Sequence, residues 1–167
     1  VAVAKTGIIM VDGQFAPLHD KIKAAIATLS NLPIKYLINT HYHGDHTGGN
    51  EGFAKDGAIV VADINVKIRL SDGTTNGLTG VKTPPATGGA LPSKTYTGKM
   101  LKVRLPGRVA DLRHVANAHT DGDTYVWFKT ANVLSTGDTF TNGRYPNIDF
   151  AQGGNIKGMI AAADAYL

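Results

Sequence analysis

Apolar and polar positions along this chain fall into blocks whose period switches between that of a strand and that of a helix. Gly7-Ile-Ile-Met-Val-Asp12 is a short apolar run closed by Asp12-Gly13, which predicts a buried strand entering a turn. After Pro17, the residues Leu18, Ile22, Ala25, Ile26 and Leu29 share one helical face, with Lys21 and Lys23 outside it. Asn31 and Pro33 end that helix. Ile34-Lys-Tyr-Leu-Ile38 predicts a second strand, so the first 38 residues read strand, helix, strand. That is the order of a parallel crossover, and ligands of such sheets collect beyond the carboxyl ends of the strands.

Further on, Glu51 to Lys55 predicts a short helix and Ala58-Ile-Val-Val-Ala62 another buried strand. Asp63 is placed to cap a helix running through Leu70, whose apolar contributors are Ile64, Ile68 and Val66. Between Ser71 and Gly98 the pattern collapses, with six glycines and three prolines in 28 residues, which predicts a long loop. Such a loop in a compact domain is either a flap over a site or a plain excursion. Met100-Leu-Lys-Val-Arg-Leu105 alternates as a strand buried on one face does, and Asp111-Leu-Arg-His-Val-Ala116 is similar. Thr124-Tyr-Val-Trp-Phe128 and Asn132-Val-Leu-Ser-Thr136 complete the strands. Ile156, Met159, Ile160, Ala163 and Leu167 recur at helical spacing, so a helix spans Asn155 to Leu167.

With 167 residues, 43% of them hydrophobic and 18% charged, the chain reads as one globular domain with no linker or repeat. No apolar run approaches 18 residues, so no membrane span is expected, and Val1 to Lys5 lacks the pattern of a leader. The net charge of +4 comes from scattered Lys and Arg without a basic stripe, which argues against nucleic acid as a partner. There are no cysteines. Disulfides and thiolate metal sites are thereby excluded, and any metal must sit on His and carboxylate ligands.

One stretch concentrates the chemistry. His41-Tyr-His-Gly-Asp-His-Thr-Gly-Gly-Asn50 holds three of the six histidines and one aspartate within six positions. His41 and His43 are two apart just after a strand, so extended backbone turns both rings to the same side. Asp45 and His46 follow across Gly44. A tetrahedral zinc takes three protein ligands and keeps one open position in a catalytic site, so four ligand types from one loop point to two metals. His41 and His43 go to the first and Asp45 and His46 to the second. His119, in the loop after the strand at 111–116, and Asp138, after the strand at 132–136, are the residues placed to complete them. A carboxylate at 138 suits a pair of ions about 3.5–4 Å apart, and the metal lowers the pKa of bound water towards ~7, which makes it the nucleophile. Zinc fits this donor set best, in one or two ions, with iron or manganese as alternatives. Asp12 reads as a turn carboxylate or as a partner that orients a ligating histidine. His19 and His114 read as hydrogen-bonded surface residues, and Asp121 and Asp123 as turn residues or, alternatively, as partners that orient a ligand.

Thr40-His-Tyr-His-Gly-Asp-His46 resembles the His-x-His-x-Asp-His signature of the metallo-β-lactamase superfamily. Val11-Asp12-Gly13, His119 and Thr136-Gly-Asp138 match that family in the same chain order. The resemblance implies an α/β fold, a four-layer αββα sandwich with its metals at one edge of two packed sheets. It implies that His41, His43 and His119 hold the first zinc and that Asp45 and His46 hold the second. Asp138 would then lie between or beside the ions, and Asp45 would orient the nucleophile as a catalytic residue. No His follows His119, so the family's last ligating His has no counterpart, and the resemblance suggests a single partial domain over 1–167. The implied activity is hydrolysis at a carbonyl centre of a small-molecule substrate, with β-lactam ring opening first. Asp138 stands where lactamases of different subclasses carry Cys or Ser, a pattern more like that of glyoxalase-type thioesterases. Yet Ala118-His-Thr-Asp-Gly-Asp-Thr-Tyr-Val-Trp127 and Thr139-Phe-Thr-Asn-Gly-Arg-Tyr-Pro146 resemble bacterial metallo-β-lactamase-like hydrolases. A thioesterase or lactonase is therefore the alternative, and an inactive metal-binding domain the third reading. A periplasmic or secreted location follows only from likeness to exported lactamases.

Overall fold

The computed structural model describes residues 1–77 and 79–167. In chain order the elements are β1 (Ala2–Val3), β2 (Ile8–Val11), α1 (His19–Ala27), β3 (Ile34–Ile38), α2 (Gly44–Thr47), α3 (Asn50–Lys55), β4 (Ile59–Asp63) and α4 (Ile64–Asp72). There follow β5 (Thr74–Thr75), β6 (Lys82–Thr83), β7 (Lys94–Tyr96), β8 (Met100–Leu105), β9 (Arg108–His114), β10 (Thr124–Phe128), β11 (Val133–Ser135) and α5 (Ile156–Tyr166).

Two sheets form the centre. The first has the order β1-β2-β3-β4-β7, with β2, β3, β4 and β7 parallel and β1 antiparallel at one edge. The second is an antiparallel meander of order β11-β10-β9-β8. Successive side chains of a strand point to opposite faces, so the apolar run of β2 serves two cores at once. Ile9 faces inward with Ile38 and Val61, against Val103, Ala110, Leu112 and Val126 of the second sheet. Ile8 and Met10 face outward with Leu37 and Val60, under Ile26 of α1 and Phe53 of α3. On the far side Met159 and Ala162 of α5 cover Val115, Ala118 and Tyr125. The layers are helix, sheet, sheet, helix, the αββα sandwich that the signature implies.

This arrangement brings the carboxyl ends of β2, β3 and β4 to one edge. The N–H of Asp12 donates to the Ile38 carbonyl (2.8 Å) and that of Asn39 to the Val61 carbonyl (2.9 Å), so the parallel register continues past the strands. The N–H of Thr124 donates to the Thr40 carbonyl at 2.7 Å and stitches the second sheet to the first at that edge.

Several sequence expectations are corrected. The stretch 71–98 is not all loop: β5 and β6 pair as a ribbon, and β7 is the edge strand of the first sheet, parallel to β4. Three residues are too few to show a period, but Tyr96 is buried there and its hydroxyl lies 2.8 Å from Thr124 Oγ1. Leu78, inside that stretch, lies outside the described residues. Helix α1 ends at Ala27, which leaves Leu29 exposed rather than on its buried face. In α4 the fully buried residue is Val66, while Ile68 is exposed, and Asp63 caps the helix by accepting from the Asn65 N–H at 2.9 Å. In α5 the buried face is Gly158, Met159 and Ala162, so Ile156 and Ile160 point outward. Strand β9 begins at Arg108 because Pro106-Gly107 closes a tight hairpin with β8. Among the described residues, no helix is long and apolar enough to cross a membrane.

Candidate metal centre

The histidine stretch leaves β3 and turns at once into α2, which begins at Gly44. Below it the side-chain amides of Asn39 and Asn50 pair reciprocally, at 2.9 Å in each direction, and fix the base of the loop. Asp12 reaches across from the end of β2. Its Oδ1 accepts the Thr40 N–H (2.8 Å), and its Oδ2 accepts the Thr40 hydroxyl (2.9 Å) and lies 2.8 Å from His46 Nδ1. Asp12 holds this position at φ 59°, a left-handed conformation that Asp tolerates better than most residues. Of its two sequence readings, the structure favours the partner of a histidine.

His41, His43 and His119 meet at one point. His41 Nε2 lies 3.0 Å and His119 Nε2 lies 2.9 Å from His43 Nδ1. The outer nitrogens decide the tautomers. His119 Nδ1 faces the Asn147 carbonyl at 2.7 Å, which only accepts, so it carries the proton. His43 Nε2 faces the Asp149 carboxylate at 3.1 Å and carries the proton likewise. His41 Nδ1 faces Thr40 Oγ1 at 3.1 Å, and that hydroxyl spends its hydrogen on Asp12, so His41 Nδ1 is the donor. The three inner nitrogens therefore converge, with His41 Nε2 and His119 Nε2 each about 3 Å from His43 Nδ1. Ligand nitrogens of one tetrahedral ion with ~2.0–2.1 Å bonds stand roughly 3.3 Å apart, so this trio could hold a metal ion.

His41 also joins a second group with His46 and Asp138. Asp138 follows β11 on a 3-10 turn, where Gly137 adopts φ 56°. A Cβ at Gly137 would lie 2.7 Å from Thr40 Oγ1, so glycine is what lets this turn close on the histidine loop. Asp138 Oδ1 comes within 3.3 Å and Asp45 Oδ2 within 3.4 Å of His46 Nε2, while Asp138 Oδ2 is 3.8 Å from His119 Nε2. The carboxylates of Asp45 and Asp138 stay half exposed and open this side to solvent. Asp138 thus lies beside both groups, and Asp45 borders the second from the α2 side.

Burial, with added repulsion from His46, His119 and His43, holds His41 well below the usual imidazole range. Burial would push His46 down too, but hydrogen bonds and charge from Asp12 and Asp138 overcome it and raise His46 to about 10. The hydrogen bond to His46 in turn holds Asp138 below the usual carboxylate range, against its own partial burial.

The remaining candidates sit away from this centre or support it. His19 bridges Asp20 (3.0 Å) and Asp56 (2.9 Å) on the surface, and His114 Nδ1 meets the Asp123 carbonyl at 3.0 Å. Asp121 pairs with Arg69 at 2.5 Å. Asp123 closes the His119 loop by accepting from the Thr120 N–H (2.8 Å) and hydroxyl (2.6 Å), and its burial pushes it up to about 6. Tyr42, Asn147 and Asp149 are the contacts that sequence reasoning missed. Tyr42 hydrogen bonds to the same Asp149 oxygen that faces His43. Burial and that carboxylate raise the Tyr42 phenol above its usual range. A cavity of about 520 Å³ opens beside His43, lined by Tyr42, Leu70, Thr74, Thr79, Val81 and Pro84 among others.

Comparison with known proteins agrees with this geometry. Among curated proteins, the alpha subunit of 2,4-dinitroanisole O-demethylase from Nocardioides sp. (strain JS1661) is 29% identical over 149 residues, 86% of this chain and 41% of that protein. Among solved structures, the subclass B3 metallo-β-lactamase BJP-1 of Bradyrhizobium japonicum has a TM-score of 0.73 at 21% identity, covering 99% of this chain and 65% of that one. The metallo-β-lactamase GOB-18 from Elizabethkingia meningoseptica has a TM-score of 0.61 at 29% identity, covering 75% of this chain and 47% of that one. The chain thus spans less than two thirds of the length of these relatives. The family model of the metallo-beta-lactamase superfamily matches residues 3–166. With the sandwich, the edge site and this match in agreement, the chain belongs to the metallo-β-lactamase superfamily, whose members are generally metal-dependent hydrolases.

Proposed function

We propose that this chain carries the metal centre of a hydrolase acting on a small-molecule carbonyl, with β-lactam ring opening as its leading activity. The observation that carries this reading is the convergence of three imidazole nitrogens beside an open cavity. His41, His43 and His119 would hold one ion, and Asp45, His46 and Asp138 a second, with zinc the best match to such nitrogen and carboxylate donors. Bound there, the metal supplies Lewis acidity and lowers the pKa of water to ~7.

The chain's own groups do the rest. Asp45 and Asp138, half exposed at the mouth of the site, are placed to accept a proton from an attacking water and to orient it. The cavity beside His43 has the size of a small-ligand pocket. Thr74 and Thr79 offer it hydroxyls, and Leu70, Val81 and Pro84 offer apolar surface. This suits a compact scaffold with a carbonyl better than a long polymer. Support for the β-lactam comes from GOB-18, a metallo-β-lactamase that is 29% identical across three quarters of this chain.

Two observations favour a second reading. Asp138 in place of Cys or Ser keeps a thioesterase or lactonase in view. The curated relative, matched over 86% of the chain, is named for O-demethylation of 2,4-dinitroanisole, which adds an aryl methyl ether to the candidate substrates. The test is turnover by the zinc-loaded protein of nitrocefin, an acylglutathione, a lactone panel and 2,4-dinitroanisole, each with and without chelator. The leading reading expects nitrocefin hydrolysis that disappears with chelator. Cleavage of a thioester, lactone or anisole with nitrocefin untouched would give the second reading, and bound zinc without any turnover would leave a metal-binding domain.

A further inference from the structure

We propose that Asp149 is a positioning residue for this centre: it holds the His43 ring with Nε2–H outward and Nδ1 bare towards His41 and His119. The proposal rests on the reading of that trio as a metal site. Asp149 is buried and stands 106 residues from His43 in the chain, yet its Oδ2 is 3.1 Å from His43 Nε2. The same oxygen takes the Tyr42 hydroxyl, which itself lies 3.1 Å from His43 Nε2, so carboxylate, phenol and imidazole form one cluster.

The backbone around Asp149 is stitched to the other histidine of the trio. The Asp149 N–H donates to the His119 carbonyl at 2.9 Å, and the Asn147 carbonyl accepts from His119 Nδ1 at 2.7 Å. The Asp121 N–H donates to the Gln152 carbonyl and the Asn155 N–H to the Ala118 carbonyl, each at 2.9 Å. One segment, residues 147–155, therefore contacts the outer nitrogens of two of the three imidazoles.

The physical need is specific. A neutral imidazole offers a lone pair from only one nitrogen; a flip of the His43 ring would aim a C–H, and the other tautomer an N–H, at His41 and His119. A carboxylate on the outer N–H removes both alternatives and makes the inner nitrogen more basic. Outer partners of this kind govern metal affinity by about 10–100-fold.

The experiment has one readout without metal and one with it. In metal-free wild type labelled with 15N-histidine, the His43 Nε2–H should give a downfield proton resonance protected from solvent exchange. Zinc affinity is read by chelator competition. Asp149→Ala should lose the protected resonance and bind zinc about 10–100-fold more weakly. Asp149→Asn, which keeps an acceptor oxygen but no charge, should keep the resonance with a shifted frequency and lose only part of the affinity. The Tyr42 hydroxyl also lies 3.1 Å from His43 Nε2, so Tyr42→Phe should keep the resonance, and its loss there would assign the ring to the phenol and overturn the proposal. The proposal is overturned if Asp149→Ala retains both the resonance and wild-type affinity. Should that variant not fold, wild-type shift and affinity in Asp149→Asn overturn it equally. If wild type takes up no zinc, the metal reading fails, while the metal-free resonance still reports whether Asp149 holds the ring.

Discussion

Asp12 and His46 are joined through Oδ2 and Nδ1 at 2.8 Å, although one ends a strand and the other lies in a helix 34 residues later. Because the same carboxylate also accepts both the N–H and the hydroxyl of Thr40, it fixes the exit path of β3 and the ring of His46 together. The loop that carries the histidines is thus held at its start and at its last ligand type by one side chain.

Removal of that carboxylate should be costly. Asp12→Ala strands the Thr40 N–H and the His46 ring nitrogen, and leaving such groups without a charged acceptor costs about 3 kcal/mol in total. Asp12→Gly should be the milder change, since the residue sits at φ 59° and glycine relieves that conformation. Urea midpoints at unchanged slope measure both. An Asp12→Ala midpoint equal to wild type would show that the contacts contribute nothing.

The pH dependence of the metal-free protein follows from His46 and His41, with opposite signs. His46 is raised from 6.5 to about 10. Its cation between Asp12 and Asp138 therefore stabilises fully below pH ~6.5, and that contribution is lost as pH climbs through about 10. His41 is depressed, so its contribution stands above pH ~6.5 and is lost as pH falls through its lowered value. Unfolding free energy from pH 7 to 10.5 should decline more steeply in wild type than in Asp138→Asn, which removes one of the partners that raise His46. Parallel slopes in the two proteins would exclude His46 as the cause.

Much of this site was legible in the sequence because its residues are close in the chain or close a strand. His41, His43, Asp45 and His46 come from one loop, and His119 and Asp138 each follow an apolar strand in a Gly- or Asp-rich turn. Asp149 and Tyr42 were not legible. Their contact spans 107 residues, and the stretch around Asp149 has no period to mark it. Strand β7 escaped for a related reason, being three residues inside a Gly- and Pro-rich stretch, with only Tyr96 to signal burial. The apolar spacing of α5 pointed to a helix correctly, but of the residues it named only Met159 lies on the buried face. Small residues, Gly158 and Ala162, make the contact there because the helix lies close against the His119 loop.

Gly158 supplies a sharp case of that closeness. Gly→Ala inside a helix ordinarily gains about 0.5–1 kcal/mol. Here a Cβ would lie 1.9 Å from the Asn117 carbonyl oxygen, which must move or push α5 away. Overpacking of this kind costs about 1–3 kcal/mol, so Gly158→Ala should destabilise despite its helix propensity. Thermal unfolding beside an Ala substitution at exposed Lys157 checks the sign; a raised melting temperature for Gly158→Ala would contradict the packing described.

The central claim is that His41, His43 and His119 form a metal site, and metal content tests it most directly. Wild type and His43→Ala, both loaded with zinc and freed of excess by gel filtration, are compared by elemental analysis, with far-UV circular dichroism confirming the fold of each. His43 is the one of the three that is not fully buried, so its truncation leaves the core intact. The account predicts at least one zinc per chain in wild type and one fewer in His43→Ala. A folded wild type that retains no zinc, or a His43→Ala variant that retains as much as wild type, would contradict it.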